Sequence, residues 1–331
     1  MNRTFHARHL LRAMVALLLA AGLVLASAAA FAADYPRRPV TMIVPWGAGG
    51  GTDAVGRILG ALMDKELGQP FNVVNRTGGS GAVGHNAIAN SRPDGYTIGV
   101  VTVELTMMHW QGLTPLTYKD VVPVALVNDD PAGVMVAIDS KFTSTKQILD
   151  YVKGHGGELK ASGTGQGGIW HLALAGMLKA QGLGPNDVRW VPSAGAAPGL
   201  QDLIAGGVDI VTASIPEGKA LIDAGRVKAL AVMSDKRNAV FPDVPTLKEA
   251  AGLDWTTAAW RGIAAPKGTP KEVVDVLEKA LHKIVNGKEY KDFLAQRGYG
   301  WNWADSTAFG KFMAEADVSN GEVMKAAGLT Q

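Results

Sequence analysis

The chain alternates short apolar segments with glycine-rich stretches, and the spacing inside each segment separates strands from helices. Val40-Thr41-Met42-Ile43-Val44 is an apolar run bounded by Pro39 and Pro45, which predicts a buried strand. After Trp46-Gly47-Ala48-Gly49-Gly50-Gly51-Thr52-Asp53, apolar residues recur at Val55, Ile58, Leu59, Leu62 and Met63. That is one face of a helix, with Thr52 or Asp53 as its N-cap. Phe71 to Val74 predicts a second strand, running into Gly78-Gly79-Ser80-Gly81, and Tyr96 to Val103 predicts a third.

The middle of the chain repeats the scheme. Leu159 to Ala161 leads into Ser162-Gly163-Thr164-Gly165-Gln166-Gly167-Gly168 and a helix from about Trp170. Val188 to Val191 leads into Pro192-Ser193-Ala194-Gly195-Ala196-Ala197-Pro198 and a helix bearing Leu200, Leu203 and Ile204, with Val208 to Val211 as the next strand. Near the C-terminus, Thr269, Pro270 and Glu272 predict a capping box ahead of an apolar face at Val273, Val274, Leu277, Leu281 and Ile284. Strand, glycine loop and helix in alternation predict an α/β fold with parallel-rich sheets flanked by helices. Ligands of such sheets sit at the carboxyl ends of the strands, where these loops fall.

The glycine loops carry the candidate chemistry. Unpaired N–H groups and the dipole at a helix N-terminus attract anions, and glycine lets an anion approach the backbone. One such loop alone reads first as a tight turn with a cap; four in two halves of one chain shift the balance toward anion binding. A dinucleotide fingerprint fits poorly: from Gly47 and Gly49 its last position is Thr52, and from Gly49 and Gly51 it is Ala54. Asn72 and Asn75 stand where its acidic residue belongs, and no phosphate-binding Gly-Lys-Ser/Thr loop is present, so no cofactor is expected.

Gly78-Gly79-Ser80-Gly81-Ala82 departs from the nucleophile elbow at its last position. The histidines after residue 32 (His85, His109, His155, His171 and His282) show no metal-ligand spacing, so neither a catalytic nor a metal site is expected. His171, beside a glycine loop, either lines the cleft or packs beneath it.

The first 32 residues read as a cleaved export signal. Arg3, Arg8 and Arg12 precede the apolar stretch Ala13 to Leu25, and Ala30-Phe31-Ala32 supplies a cleavage site. The stretch is short of the roughly 20 residues a membrane span needs. The chain's 32 basic residues exceed its 30 acidic ones, but three arginines belong to the signal, leaving 29 against 30. Nothing therefore suggests nucleic acid. With no cysteine, disulfides and thiolate chemistry are excluded, and a cysteine-free chain suits an oxidising periplasm.

Several motifs resemble one family. They are Tyr35-Pro36, Pro39-Val40, Val44-Pro45-Trp46 with Gly49-Gly50 and Asp53, Asn75-Arg76, Gly78, Gly84, and Pro93-Asp94-Gly95-Tyr96-Thr97. Val191-Pro192, Ala197-Pro198, Asp202-Leu203, Pro242-Asp243-Val244-Pro245-Thr246, Ala265-Pro266 and Gly268-Thr269-Pro270 continue the series. In this order they resemble the periplasmic solute-binding components of tripartite tricarboxylate transporters, the Bug or TctC-like proteins, over essentially the whole chain after the signal.

The resemblance implies a two-lobed Venus-flytrap protein, a monomer, with 33–132 and 260–331 as one lobe and 133–259 as the other. It would clamp a small mono- or dicarboxylate and hand it to membrane subunits of the TctA and TctB type. An exported hydrolase and a ligand-sensing subunit of a membrane receptor remain as alternatives on the same fold. The implied ligand-binding positions are Trp46, Ala48, Gly49, Gly50, Thr52 and Asp53 with Gly79 and Ser80 from the first lobe. From the second they are Ser162, Thr164, Gly165, His171, Ser193, Gly195, Ala196 and Ser214.

The sequence departs from the family at Ser193 and Ala194, where an aromatic and a lysine are frequent, and at Ala213-Ser214, where an Asp-Asn pair is. The stretch from Thr102 to Tyr118 is also short and places Glu104 behind a buried strand. There it would meet an amine or hydroxyl of the ligand, or serve as a helix cap or interlobe hydrogen bond. Trp46, Trp110, Trp170 and Trp260 fall near strand ends or loops, where they would wall a pocket or pack under the loops.

Overall fold

The computed structural model describes residues 35–330, so the expected export signal lies outside the described residues. The first third builds β1 (Val40–Val44), α1 (Gly51–Leu67), β2 (Phe71–Asn75), α2 (Ala82–Ala89) and β3 (Thr97–Thr102). β1 pairs in parallel with both β2 and β3. The middle builds β4 (Val121–Ala137), α3 (Thr145–Gly154), β5 (Lys160–Ser162), α4 (Ile169–Ala180), β6 (Arg189–Trp190), α5 (Ala196–Ile204) and β7 (Ile210–Ser214). Here β5 is the central parallel strand, between β6 and β7.

The remainder contributes α6 (Lys219–Asp223), β8 (Val227–Val232), α7 (Leu247–Ala251) and β9 (Ala258–Pro266). It ends with α8 (Lys271–Asn286), α9 (Lys288–Arg297), β10 (Trp301–Ala304) and α10 (Ser306–Ala326).

Two sheets share one strand. From Val121 to Pro131, β4 pairs with β9 in the order β2-β1-β3-β9-β4. From Ala132 onward it pairs with β7 and β8, opening the second sheet. This is the expected α/β, two-lobed architecture, and between its strands the parallel pairing falls in β2-β1-β3 and β6-β5-β7. β4, β8, β9 and β10 pair antiparallel. The reason is topological: β4 runs out of the first sheet while the neighbouring β9 runs back into it.

Helix α1 is held tightly against the first sheet. Val55, Leu59 and Met63 are fully buried beside Val40, Met42 and Val44, and α8 adds Leu277 and Leu281 to the same cluster. Each fully buried side chain of this kind contributes about 1.5–3 kcal/mol. Gly56 and Gly60 set the distance, because a Cβ at either would come within 2.8 Å of Val44 or Val73. The contact fixes where the N-terminus of α1 points.

Three local expectations are corrected. α1 is capped by Gly50, and Thr52 and Asp53 lie in its first turn because other partners take their side chains. α8 begins at Lys271 with Pro270 as N-cap, so Thr269 and Glu272 form no capping box; Thr269 Oγ1 donates to the Pro266 carbonyl instead. A complete capping box occurs at α7, between Thr246 and Glu249. β7 covers Ile210–Ser214 rather than Val208 to Val211.

Candidate functional site

The four glycine loops leave β1, β2, β5 and β6 and meet across the cleft between the sheets. Gly47 N–H donates to the Ala194 carbonyl at 3.3 Å, and Ser80 Oγ to the Gln166 carbonyl at 3.1 Å. Gln111, at the cleft edge, adds a bond to the Gly167 carbonyl at 3.0 Å. A Cβ on Gly165 would lie 2.1 Å from Ser80 Oγ, so the sheets approach this closely only over a glycine.

An inner cavity of about 30 Å³ lies between the sheets. That is room for about two waters, so the cleft is shut. Its wall includes Trp46, Gly50, Thr52, Glu104, Thr164, Trp170, Gly195, Ala196, Glu217, Trp260 and Arg261. Trp46 and Ala194 separate it from an outer depression of about 400 Å³, lined by Gly79, Ser80, Gly165 and Ser193 and by no charged side chain.

Three helix N-termini reach the inner cavity, and two hold a carboxylate from the opposite sheet. Glu217, just beyond β7, accepts the first N–H of α1, Gly51, at 2.9 Å. Glu104, just beyond β3, accepts the first N–H of α4, Ile169, at 3.1 Å, and the Thr102 hydroxyl at 2.5 Å. The third helix, α5, starts at Ala196 behind Gly195 and carries no side-chain cap. Burial raises the pKa of both glutamates; Thr102 and the Ile169 N–H oppose this at Glu104, and chiefly Arg261 opposes it at Glu217.

Arg261 forms the floor. Its side chain is 2% exposed, pairs with Asp130 and Asn128, donates from Nε to Thr52 Oγ1 at 3.0 Å, and lies 3.9 Å from Glu217. Burial works against its charge, but Asp130 and Glu217 outweigh it and keep the guanidinium cationic. Trp260, 3% exposed on the same wall, packs edge-on against Phe309 and Phe312. Its indole N–H is buried without a hydrogen-bond partner among the described residues.

Of the expected positions, Trp46, Gly50, Thr52, Glu104, Thr164, Gly195 and Ala196 line the inner cavity, while Gly79, Ser80, Gly165 and Ser193 line the outer one. Ala48 and Gly49 are exposed and lie outside both. Asp53 braces its loop instead of lining the cleft, accepting from Gly49 N–H, Arg57 and Asn75. Burial would raise its pKa, but these bonds, led by Arg57, hold it below the usual carboxylate range.

Ser162 is fully buried and donates to the Val191 carbonyl. Ser214 donates to Glu217 and so positions it. His171 packs beneath the loop: it accepts the Gly167 N–H through Nδ1, stacks on Trp190, and is pushed down to about 4 by burial. Among the tryptophans, Trp46, Trp170 and Trp260 wall the inner cavity, whereas Trp110 packs against Gly321 of α10.

Glu217, Arg261, Asn128 and Asp130 were not expected. A lone arginine in the apolar run Ala258 to Pro266 is the signal that marks them, since a charge inside a buried strand requires partners.

The comparisons with known proteins agree with this geometry. The family described as tripartite tricarboxylate transporter family receptor, TctC, matches residues 55–329. Protein BugT of Bordetella pertussis is 31% identical over 86% of this chain and 89% of its own. Two solved structures are similar over 99% of their own chains: MatC (Rpa3494) from Rhodopseudomonas palustris with bound malate, and R. palustris Rpa4515 with adipate. MatC is 28% identical with a TM-score of 0.80 over 87% of this chain, and Rpa4515 27% identical with 0.85 over 90%. With its match running from within α1 almost to the C-terminus, the chain belongs to the TctC family of tripartite tricarboxylate transporter receptors.

Proposed function

We propose that the protein captures a small organic carboxylate between its two lobes in the periplasm and releases it, chemically unchanged, to membrane subunits of the TctA and TctB type. It reaches the periplasm through removal of residues 1–32. The lobes are 33–132 with the C-terminal segment, and 133 onward. The return falls at 260, so that 260–331 rejoins the first lobe and 133–259 is the second; the change of partner along β4 at Pro131–Ala132 and the pairing of β9 with β4 from Ala258 support these crossings.

The observation that carries this reading is the convergence of three helix N-termini on one cavity, two of them already receiving a carboxylate. A site that accepts protein carboxylates there has the donors to accept a ligand's. With α1 and α4 occupied, the ligand carboxylate belongs at the N-terminus of α5, over Gly195, Ala196 and Ala197. Malate and adipate in two similar proteins support a carboxylate as cargo. Entry requires the sheets to separate about their shared strand, and closure restores donors from both sides, which favours the shut form when ligand is bound.

The serines do not favour the hydrolase alternative. Ser80, Ser162 and Ser193 each donate to a backbone carbonyl, of Gln166, Val191 and Gly195, rather than to a base.

A thermal-shift screen against a panel of mono- and dicarboxylates tests the reading. A ligand at 100 times its dissociation constant should add about 2.7 kcal/mol of stability. Stabilisation by sugars or cations with none by any carboxylate contradicts it.

A further inference from the structure

We infer that the ligand carries a protonated amine as well as a carboxylate, with Glu104 and Glu217 as the residues that select it. The inference rests on the carboxylate-binding reading above and narrows it.

Three ionisable side chains line the inner cavity: Glu104, Glu217 and Arg261. Arg261 is already paired with Asp130 behind the wall. Asp130 thus already matches the cation of the wall, and the two glutamates remain as its acceptors; burial raises their pKa, and an ammonium beside them would favour their ionised form. Each gives one oxygen to a helix N–H. The second oxygen of Glu217 takes the Ser214 hydroxyl, and that of Glu104 the Thr102 hydroxyl. A carboxylate oxygen accepts more than one hydrogen bond, so both retain capacity for a donor from the cavity.

A plain dicarboxylate placed here sets a second anion against two buried carboxylates. That arrangement is unfavourable in a site that excludes water. An ammonium in the same place instead meets two acceptors and restores the charge balance.

The opposite polarity is also present. The α5 N-terminus and Trp260, whose indole N–H has no partner among the described residues, lie on the wall of the same cavity. A buried donor without a partner is costly, and a ligand oxygen would satisfy it. Donors and acceptors thus coexist in one small space, as a zwitterion requires. Glu104 acts here beside its structural role as the cap of α4, and Glu217 beside its role as the cap of α1.

The test is isothermal titration calorimetry of the full mature chain with pairs of ligands differing by one amine: alanine and propanoate, 4-aminobutanoate and butanoate, aspartate and succinate, glutamate and glutarate. In at least one pair the amine-bearing member should bind about tenfold or more tighter, the scale of one charge-assisted hydrogen bond. Glu104→Gln and Glu217→Gln, each checked for a cooperative melt, should collapse that preference to within about threefold. If the plain member binds as tightly in every pair, or if the preference survives in both variants, the amine inference is overturned and carboxylate capture stands. If none of the eight ligands binds while an amine-free carboxylate stabilises the protein, the amine inference is likewise overturned; if no carboxylate of the thermal-shift panel stabilises it, the carboxylate reading fails as well. The comparison within each pair uses the unmodified protein, so it decides the matter even if a variant does not fold.

Discussion

Glu217 Oε1 and the Gly51 amide, 166 residues apart, are joined by a 2.9 Å hydrogen bond that crosses the cleft. It places a carboxylate from the second sheet on the N-terminus of a helix belonging to the first, while Glu104 makes the reverse connection to Ile169. Each sheet therefore presents to the other the kind of group the site is proposed to bind. These two bonds, with the loop contacts around Gly165 and Ala194, hold the shut form.

Closure also depends on Gly165. An added methyl would overlap Ser80 Oγ at 2.1 Å and approach Ser80 Cβ at 2.9 Å, atoms on the opposite side of the cleft. Gly165→Ala should weaken carboxylate binding about tenfold or more while leaving the thermal midpoint of the unliganded protein within a few degrees. Unchanged affinity by calorimetry would show that the loops need not meet in the bound state.

Arg261 should behave as a buried ion-pair partner. Arg261→Met leaves Asp130 and Glu217 without their cation, and breaking one side of a buried pair costs about 3–5 kcal/mol. Lys146→Ala removes an exposed pair with Asp150, a class worth about 0–1 kcal/mol. Urea denaturation of the two variants should separate them clearly; equal midpoints would mean that Arg261 is not what balances the floor of the cleft.

His85 makes stability depend on pH. It is fully buried between the Gly81 carbonyl, which accepts from Nδ1, and the Thr102 amide, which donates to Nε2, a pairing that requires the neutral ring. Burial brings its pKa down to about 4. Between pH 6.5 and about 4 the unfolded chain binds a proton that the folded chain refuses, so the contribution of His85 falls with pH through that window. Its full size is about 3 kcal/mol. The raised pKa of Glu104 and Glu217 acts in the opposite direction, so the histidine is isolated by comparison. His85→Gln should lose less stability than the parent between pH 7 and pH 5 in urea titrations, and an equal loss would remove His85 as the cause.

The parts of the fold visible in the sequence are those with a simple period. β1, α1, β2, α4 and α5 follow from apolar spacing ended by glycine, the loops at their ends follow from glycine alone, and β3 follows from its apolar run. β4 is obscured because one strand serves two sheets. Pro123, the polar run Asn128-Asp129-Asp130 and Pro131 resemble a turn, yet they mark register shifts and the change of sheet. The same run supplies the partners of Arg261, so the strand and the charged floor of the cleft escape notice together.

Within the site, backbone loops were legible because glycine is required wherever another chain segment or a ligand must approach. Side-chain roles were less so. Ser162, His171 and Asp53 lie in or beside a glycine loop in sequence and Ser214 ends β7, but their polar atoms turn to the protein's own backbone and side chains. Glu217 contacts a helix that begins 166 residues earlier, a separation that no local pattern encodes.

Native mass spectrometry of the mature chain, mixed with the carboxylate that stabilises it most, tests capture without turnover most directly. The account predicts a 1:1 complex whose ligand, released by denaturation after prolonged incubation, has its original mass. A ligand recovered with altered mass, or a stabilised protein carrying no ligand, would contradict it.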